Sequence, residues 1–448
     1  MARAMKDSGI EWIGEIPANW QVVRGKTVFR QRNEKGNNVC LQLLSPTQKY
    51  GVIPQAEYEQ LSGMKAVKLD VAADYSQLKT IHAGDFCISL RSFQGGFEYS
   101  QHEGVVSPAY QVFYPHTDCN DGYFKYLFKD RTFIDKMNSY TLSLRDGKNI
   151  AFSDFANTYI PFPPIDEQIR IAAFLDAECA RIDAVIEQTR ASIEEYKKLK
   201  QSVITQAVTK GIRHGRKMKD SGVEWAGKIP DEWSTPKVGS ICTVITDYVA
   251  SGSFASLAEN VEYLDEPDYA MLVRTADVSN KGYSPKPVYI NKHAYDYLHN
   301  SNLYGGEILL PNIGASVGDV YLVPILYERM SLAPNAIMMK TKYHDKFYYY
   351  YFLSKPGRLS IEDIAQSTAQ AKFNKTDFKQ IRVVLPPDDE QREIAAYLDK
   401  KTKEIDLLIQ SKNKVITELE SYKKSLIFEY VTGKKEVFNG HGFKRKSS

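Results

Sequence analysis

Residues 163–176 read PPIDEQIRIAAFLD, and residues 386–399 read PPDDEQREIAAYLD. The same signal therefore occurs twice, 223 residues apart. Pro163-Pro164 and Pro386-Pro387 stop the β-like runs ahead of them, Asn157–Phe162 and Gln380–Leu385, because proline can neither donate to a ladder nor sit inside a helix. Asp166 and Asp389 are then expected to cap two helices. Glu167 and Glu390 follow in the first turn, where the helix dipole favours negative charge. Leu175, Ile182, Thr189, Tyr196 and Val203 recur every seven residues, joined by Val185 and Leu199 three residues after members of that series. The second copy gives Leu398, Ile405, Lys412, Leu419 and Leu426, joined by Leu408, Val415 and Tyr422. A seam sustained over several heptads predicts a coiled coil. Each helix runs about 44 residues, roughly 65 Å at 1.5 Å per residue, and Gly211 and Gly433 stand as stop signals. A helix packed on its own domain needs no seam of that length; the expected partner is the other copy.

Upstream of each helix lies a second repeat. MKDSGIEWIGEIPANW (5–20) returns as MKDSGVEWAGKIPDEW (218–233), eleven of sixteen positions being identical, and these boxes hold all four tryptophans of the 448-residue chain. Matching tryptophans of this kind more often close a local core than form an exposed hot spot. Self-similarity at this scale decides architecture before any local motif does. Between box and helix lie two variable regions of mixed α/β character with short β-rich runs: Asp85–Leu90 and Val105–Phe113 in the first, Glu307–Leu310, Val317–Val323 and Ala336–Lys340 in the second. Residual correspondences (Ala83-Gly84-Asp85 with Gly305-Gly306-Glu307, Ser107-Pro108-Ala109 with Ala333-Pro334-Asn335) predict one shared fold with divergent surfaces. Phe347–Phe352 and Tyr123–Phe128 read as half-buried aromatic helices.

Composition excludes several classes. The chain is too long for one core. Its net charge of +3 is only weakly basic, and does not by itself announce nucleic acid. Five dispersed cysteines without a Cys-x-x-Cys pair fit neither a disulfide framework nor a zinc site, and suit a reducing cytoplasm. No segment approaches the ~20 apolar residues that span a bilayer, and no signal peptide is recognisable. A P-loop and the Asn/Asp-Pro-Pro-aromatic motif are absent, so neither ATP nor adenosylmethionine is expected to bind this chain. The histidines lack metal-ligand spacing, and no catalytic residue is assigned.

The two Trp boxes, each followed by a variable region and a Pro-Pro-x-Asp-Glu-Gln helix, resemble the specificity subunit of type I restriction-modification systems. The likeness covers the whole chain and extends to GDFCISLRSFQGGFEYSQHEGVVSPAY (84–110). It implies a pseudo-two-fold, circular arrangement: two similar mixed α/β target-recognition domains separated by a long antiparallel two-helix coiled coil. The segments would be a Trp box (1–20), recognition domain (21–162), helical region (163–211), basic linker with second Trp box (212–233), recognition domain (234–385), helical region (386–434) and a basic tail (435–448). By the same resemblance the protein is no catalyst. Each domain reads half of a split site on double-stranded DNA. The helices hold the halves apart and dock two methyltransferase subunits that modify adenine, and restriction-translocase subunits can join. Adenosylmethionine, ATP and magnesium would belong to those partners. The competing reading is a coiled-coil scaffold with two protein-binding domains and no role on DNA.

DNA contact requires Arg, Lys, Asn, Gln or Ser at base edges and donors for phosphates. In the first domain the candidates are Arg91, Ser92, Gln94 and Gly95, with Arg145, Lys148 and Asn149 in a second loop. In the second domain they are Asn312 and Ser316, with Gln370, Lys372, Asn374 and Lys375. The junction 210–219 is a further basic stretch that could meet phosphate.

Overall fold

The computed structural model describes residues 3–36, 42–63, 77–88, 96–140, 150–279, 286–365 and 371–437. Two compact units emerge: Met1–Thr189 with Asn413–Ser448, and Arg190–Lys412. The helical regions are not units of their own, because each compact unit takes half of each long helix.

In the first unit an antiparallel four-stranded sheet has the order Phe29–Arg32, Gln111–Pro115, Phe86–Ile88, Phe97–Tyr99. Phe29 lies at the centre of its core, with Phe86, Phe113, Phe124, Phe128 and Phe155 at centroid distances of 5.0–5.7 Å. Most of these rings meet edge-to-face or tilted, which their quadrupoles prefer. The strand Tyr159–Phe162 leaves the domain paired with Gln21–Arg24.

The second unit repeats the sheet: Cys242–Asp247, Ala336–Thr341, Ile308–Pro311, Tyr321–Leu322 in the same spatial order. A second, mixed sheet (Tyr289–Ile290, Ala270–Val273, Met330–Leu332, Asn302–Leu303) is added, with one parallel pairing. The expected run Gln380–Leu385 forms only isolated bridges, Ser234↔Leu385 and Lys237↔Arg382. Pro236 lies between the two bridged residues on the partner side and has no N–H to give. The expected run Val105–Phe113 is interrupted by the turn at Ser107–Tyr110 and splits into Gly104–Val106 and Gln111–Pro115. The aromatic helices are Asp121–Leu127 and Asp345–Leu353, with Tyr123, Phe124, Tyr348 and Tyr351 fully buried.

The long helices span Ile165–Lys210 and Asp388–Val431. In the first unit their halves pair antiparallel: Phe174 packs on Tyr430 at 4.5 Å and Lys423 Nζ bonds Asp183 at 2.6 Å. In the second unit Lys412 lies over the Tyr196 ring at 5.6 Å and Lys200 Nζ bonds Asp406 at 2.7 Å. The two lysine–aspartate pairs occupy equivalent repeat positions.

The seam needs one correction. Leu175, Ile182, Leu398 and Ile405 are buried, and Tyr196 and Leu419 half-buried. By contrast Val185, Leu199, Leu408 and Tyr422 are 43–50% exposed. The second row of the stripe falls four residues after the first, on Cys179, Ile186, Ile193, Thr402 and Ile416, all buried. Spacings of three and four both approximate the helical repeat, and only packing against a partner separates them.

The Asp-Glu-Gln motif does more than favour the dipole. Its glutamates are buried, and each receives an indole N–H from the local Trp box: Trp20 Nε1 to Glu167 Oε2 at 2.9 Å, Trp233 Nε1 to Glu390 Oε2 at 3.0 Å. An arginine completes each clamp, Arg3 on Glu167 and Arg216 on Glu390, both at 2.7 Å. The buried glutamines follow suit. Gln168 accepts from Asn120 N and donates to Pro163 O, and Gln391 accepts from His344 N and donates to Pro386 O. Asp166 and Asp389 lie in the first turn rather than at the cap.

Removing one partner of a buried, hydrogen-bonded charge costs about 3–5 kcal/mol, whereas an exposed pair is worth under about 1 kcal/mol. Glu390→Ala is therefore expected to lower unfolding free energy several-fold more than Asp389→Ala. Urea denaturation of the two variants beside the parent measures the difference.

Candidate nucleic-acid interface

Arg91, Ser92, Gln94, Gly95, Arg145, Lys148, Asn149 and Gln370 lie outside the described residues. Three described flanks of the first-domain loops, Ile88, Phe97 and Ile150, nevertheless meet at one end of the first sheet. Ile88 pairs with both Phe97 and Gln111. The Gln111 side chain donates to Ile150 O at 3.1 Å and accepts from Phe152 N at 2.7 Å. Both ends of the first candidate loop and the rejoining end of the second thus lie near Gln111.

At the corresponding end of the second unit's first sheet the two predicted loops are joined. Ile313 bridges Lys372, Gly314 N donates to Ala371 O, and Phe373 N donates to Asn312 O. Asn312 Nδ2 adds a bond to Phe373 O at 3.2 Å, while its Oδ1 is buried without a hydrogen bond among the described residues. Asn312 is placed as a strut between loops. Two other candidates also have structural duties. Asn374 caps the helix Lys375–Gln380 by accepting from Asp377 N at 2.9 Å, the use for which asparagine is favoured at a helix start. Lys375 Nζ is held by Asp247 at 2.8 Å. Ser316 is half-buried and its carbonyl receives Asp319 N. Lys372 alone of the set is exposed with no side-chain partner among the described residues.

The sequence reading passed over Asn335 at this rim. It is exposed, its carbonyl receives Asn312 N at 3.2 Å, and its φ of 70° is the one positive value among described non-glycine residues. The available signal was Pro334-Asn335, the residue order of a turn whose third position needs positive φ.

The basic junction is largely neutralised. Arg213 binds Asp389 and Glu393, and Arg216 binds Glu390 and Glu232. The Arg213 hydrogen bond holds the Asp389 carboxyl below the usual range. Burial pushes the Cys119 and Cys242 thiols up to about 12 and raises Cys87 as well. None of these three is a ready thiolate nucleophile at neutral pH. On the long helices Val185 and Leu199, fourteen residues apart, and Leu408, Val415 and Tyr422, seven apart, leave apolar side chains open to solvent.

A mixed α/β module that occurs twice, each copy clamped to a long helix, defines a two-module protein built on a pair of long helices. The profile of the type I restriction modification DNA specificity domain matches residues 17–195 and again 230–418. The chain belongs to that family, as a type I restriction-modification specificity subunit. It is 24% identical over 419 residues to a protein assigned as the MjaX type I restriction enzyme specificity subunit of Methanocaldococcus jannaschii, covering 86% of this chain and 87% of the relative. The MjaVIII specificity subunit of the same organism is 26% identical over 282 residues, 58% of this chain and 60% of the relative. Among solved structures, a chain from a study of assembly and conformational transition in a type I R-M system superposes with a TM-score of 0.67 at 17% identity (94% of this chain, 99% of that one). The HsdS subunit of Thermoanaerobacter tengcongensis gives 0.52 at 16% identity (94% and 98%). Among the described residues no helix is long and apolar enough to cross a membrane.

The geometry separates struts from free donors. Asn374→Ala removes a cap and is expected to cost about 1 kcal/mol. Lys372→Ala should change stability by less than about 0.5 kcal/mol, yet weaken association with duplex DNA and flatten its salt dependence. Thermal melts and anisotropy titrations at two salt concentrations distinguish the two behaviours.

Proposed function

We propose that each module reads one half of an asymmetric, two-part DNA site and that the chain performs no chemistry itself. The observation that carries this is the shared order of the four-stranded sheet in two modules whose loop sequences differ: a common sheet with unlike polar loops suits two unlike half-sites. The long helices set the gap between the halves. A 46-residue helix is roughly 69 Å long, and its regular hydrogen bonding gives a fixed reach that a flexible linker lacks. Two methyltransferase subunits dock on the exposed apolar positions of the helices and methylate an adenine in each half. Restriction-translocase subunits join the same assembly to cut unmodified DNA. Adenosylmethionine, ATP and magnesium enter with those partners, and the assembly works in the cytoplasm.

The weak net charge of +3 supports a division of labour. Phosphate neutralisation supplies much of non-specific affinity, so the isolated chain is expected to bind its site far less tightly than the chain with its methyltransferases. Equal affinity in an anisotropy titration would overturn this.

Inserting one heptad into both helices, after Thr189 and after Lys412, adds roughly 10 Å, or about 3 base pairs at 3.4 Å each. Adenine-methylation sequencing in a host carrying this chain and its methyltransferase should show a longer gap and unchanged half-sites. Leu408→Glu with Val415→Glu should leave the melting temperature within a few degrees but abolish co-purification of the methyltransferase. Retained co-purification would place the docking face elsewhere.

A further inference from the structure

Among the described residues, the second module's rim holds an asparagine side chain that the fold does not use. Asn335 follows Pro334 and immediately precedes the strand Ala336–Thr341, whose first residue pairs with Pro311. Its backbone is engaged through the bond from Asn312 N, but its exposed amide makes no hydrogen bond among the described residues. Around it, Asn312 and Lys375 are occupied as struts, while Lys372 has no side-chain partner among the described residues. Among the described residues the rim therefore presents an unbonded amide beside a cation.

The φ of 70° matters here. Glycine adopts that conformation at no steric cost, while any residue bearing a Cβ is penalised, asparagine less than most. If the turn were the whole explanation, glycine would serve as well. An asparagine held there starts its side chain from a fixed Cα–Cβ direction and leaves the amide exposed and unbonded among the described residues. The first module provides the contrast. Gln111 pairs with Ile88 as Ile337 pairs with Leu310, so register places Ala109 opposite Asn335 in the comparison of the two turns. Ala109 offers no polar group and its φ is not positive. Equivalent tips with unlike chemistry are what two readers of unlike sequences require.

We infer that Asn335 is a base-reading residue, contacting an adenine of the second half-site through the bidentate amide pairing with N6 and N7, while Lys372 meets a neighbouring phosphate. A side-chain amide matches that donor–acceptor pair, and the major groove is where it is displayed. The inference rests on the proposed reading of DNA by this module and deepens it to one residue and one base.

The test uses the full chain expressed with its methyltransferase, comparing wild type, Asn335→Gly and Asn335→Asp. Glycine keeps the backbone and deletes the amide; aspartate keeps the shape but offers only acceptors. Adenine-methylation sequencing gives the recognised motif. Anisotropy titration of purified complexes against duplexes varied at each second half-site position gives discrimination even where methylation is lost. The expected result for Asn335→Gly is an unchanged melting temperature and first half-site, with discrimination at a single adenine of the second half-site reduced about tenfold or more. Asn335→Asp should move preference at that position toward cytosine, whose N4 amine donates. A motif and discrimination profile identical to wild type in both variants overturns the inference while leaving DNA reading intact. A wild-type complex with no two-part motif overturns the underlying reading and this inference together.

Discussion

A buried carboxylate at the start of each long helix governs how this protein is put together. Glu167 and Glu390 each take an indole N–H and an arginine at once. A buried, unpaired carboxylate is costly enough that it would rather be protonated or solvated, so each clamp forms whole or not at all. Through it a hairpin distant in sequence is fixed to the helix start, and the adjoining glutamine anchors the same turn to the recognition domain. The guanidinium also lies over the tryptophan ring, at 5.5 Å for Arg3 and 5.9 Å for Arg216, adding cation–π attraction to the ion pair.

The clamps explain the ends of the helices as well. Gly433 has φ of 73°, and a Cβ there would fall 3.0 Å from Trp20 Cη2; Gly211 has φ of 72°, and a Cβ would fall 3.3 Å from Trp233 Cζ2. Each Trp box therefore closes over the start of one long helix and the end of the other, and only glycine lets the backbone turn that tightly against the ring. About two and a half turns further along, the aromatic helices repeat the pattern. Tyr126 and Lys125 bond Asp176 in the first unit, and Tyr350 and Lys346 bond Asp399 in the second. The module surface toward the helix is conserved between the copies, because its partner is the same in both.

The sequence made legible whatever depends on repetition and local chemistry: two modules, two long helices with their stops at Gly211 and Gly433, and burial of the Leu175 and Leu398 series. It could not separate Val185 from Ile186 as the second row of the stripe, since both are apolar β-branched residues and adjacent spacings fit one helix face. Nor could it tell that Glu167 serves an indole, because dipole stabilisation and a tertiary hydrogen bond leave the same letter. Asn374 shows the same ambiguity in the site: a polar residue in a loop reads equally as a DNA donor or as a helix cap, and the bond from Asp377 N decides for the cap. Asn335 was missed for the opposite reason. Its Pro-Asn pair reads as turn chemistry, and only the idle amide beside occupied neighbours sets it apart.

The clamps also account for the uneven divergence of the two copies. Substitutions in a clamp residue strand a buried charge or an indole, and cost the folded state several kcal/mol out of a total of about 5–15 kcal/mol. Substitutions at a rim whose side chains face solvent cost almost nothing in stability. A duplicated specificity subunit can thus vary its rims without disturbing how each module is mounted. Struts such as Asn312 and Lys375 belong to the mounting, and they narrow the freely variable part of the rim to a few tips. In this arrangement the chemistry of a rim tip can change by exchange of an exposed side chain on a turn whose backbone is already fixed.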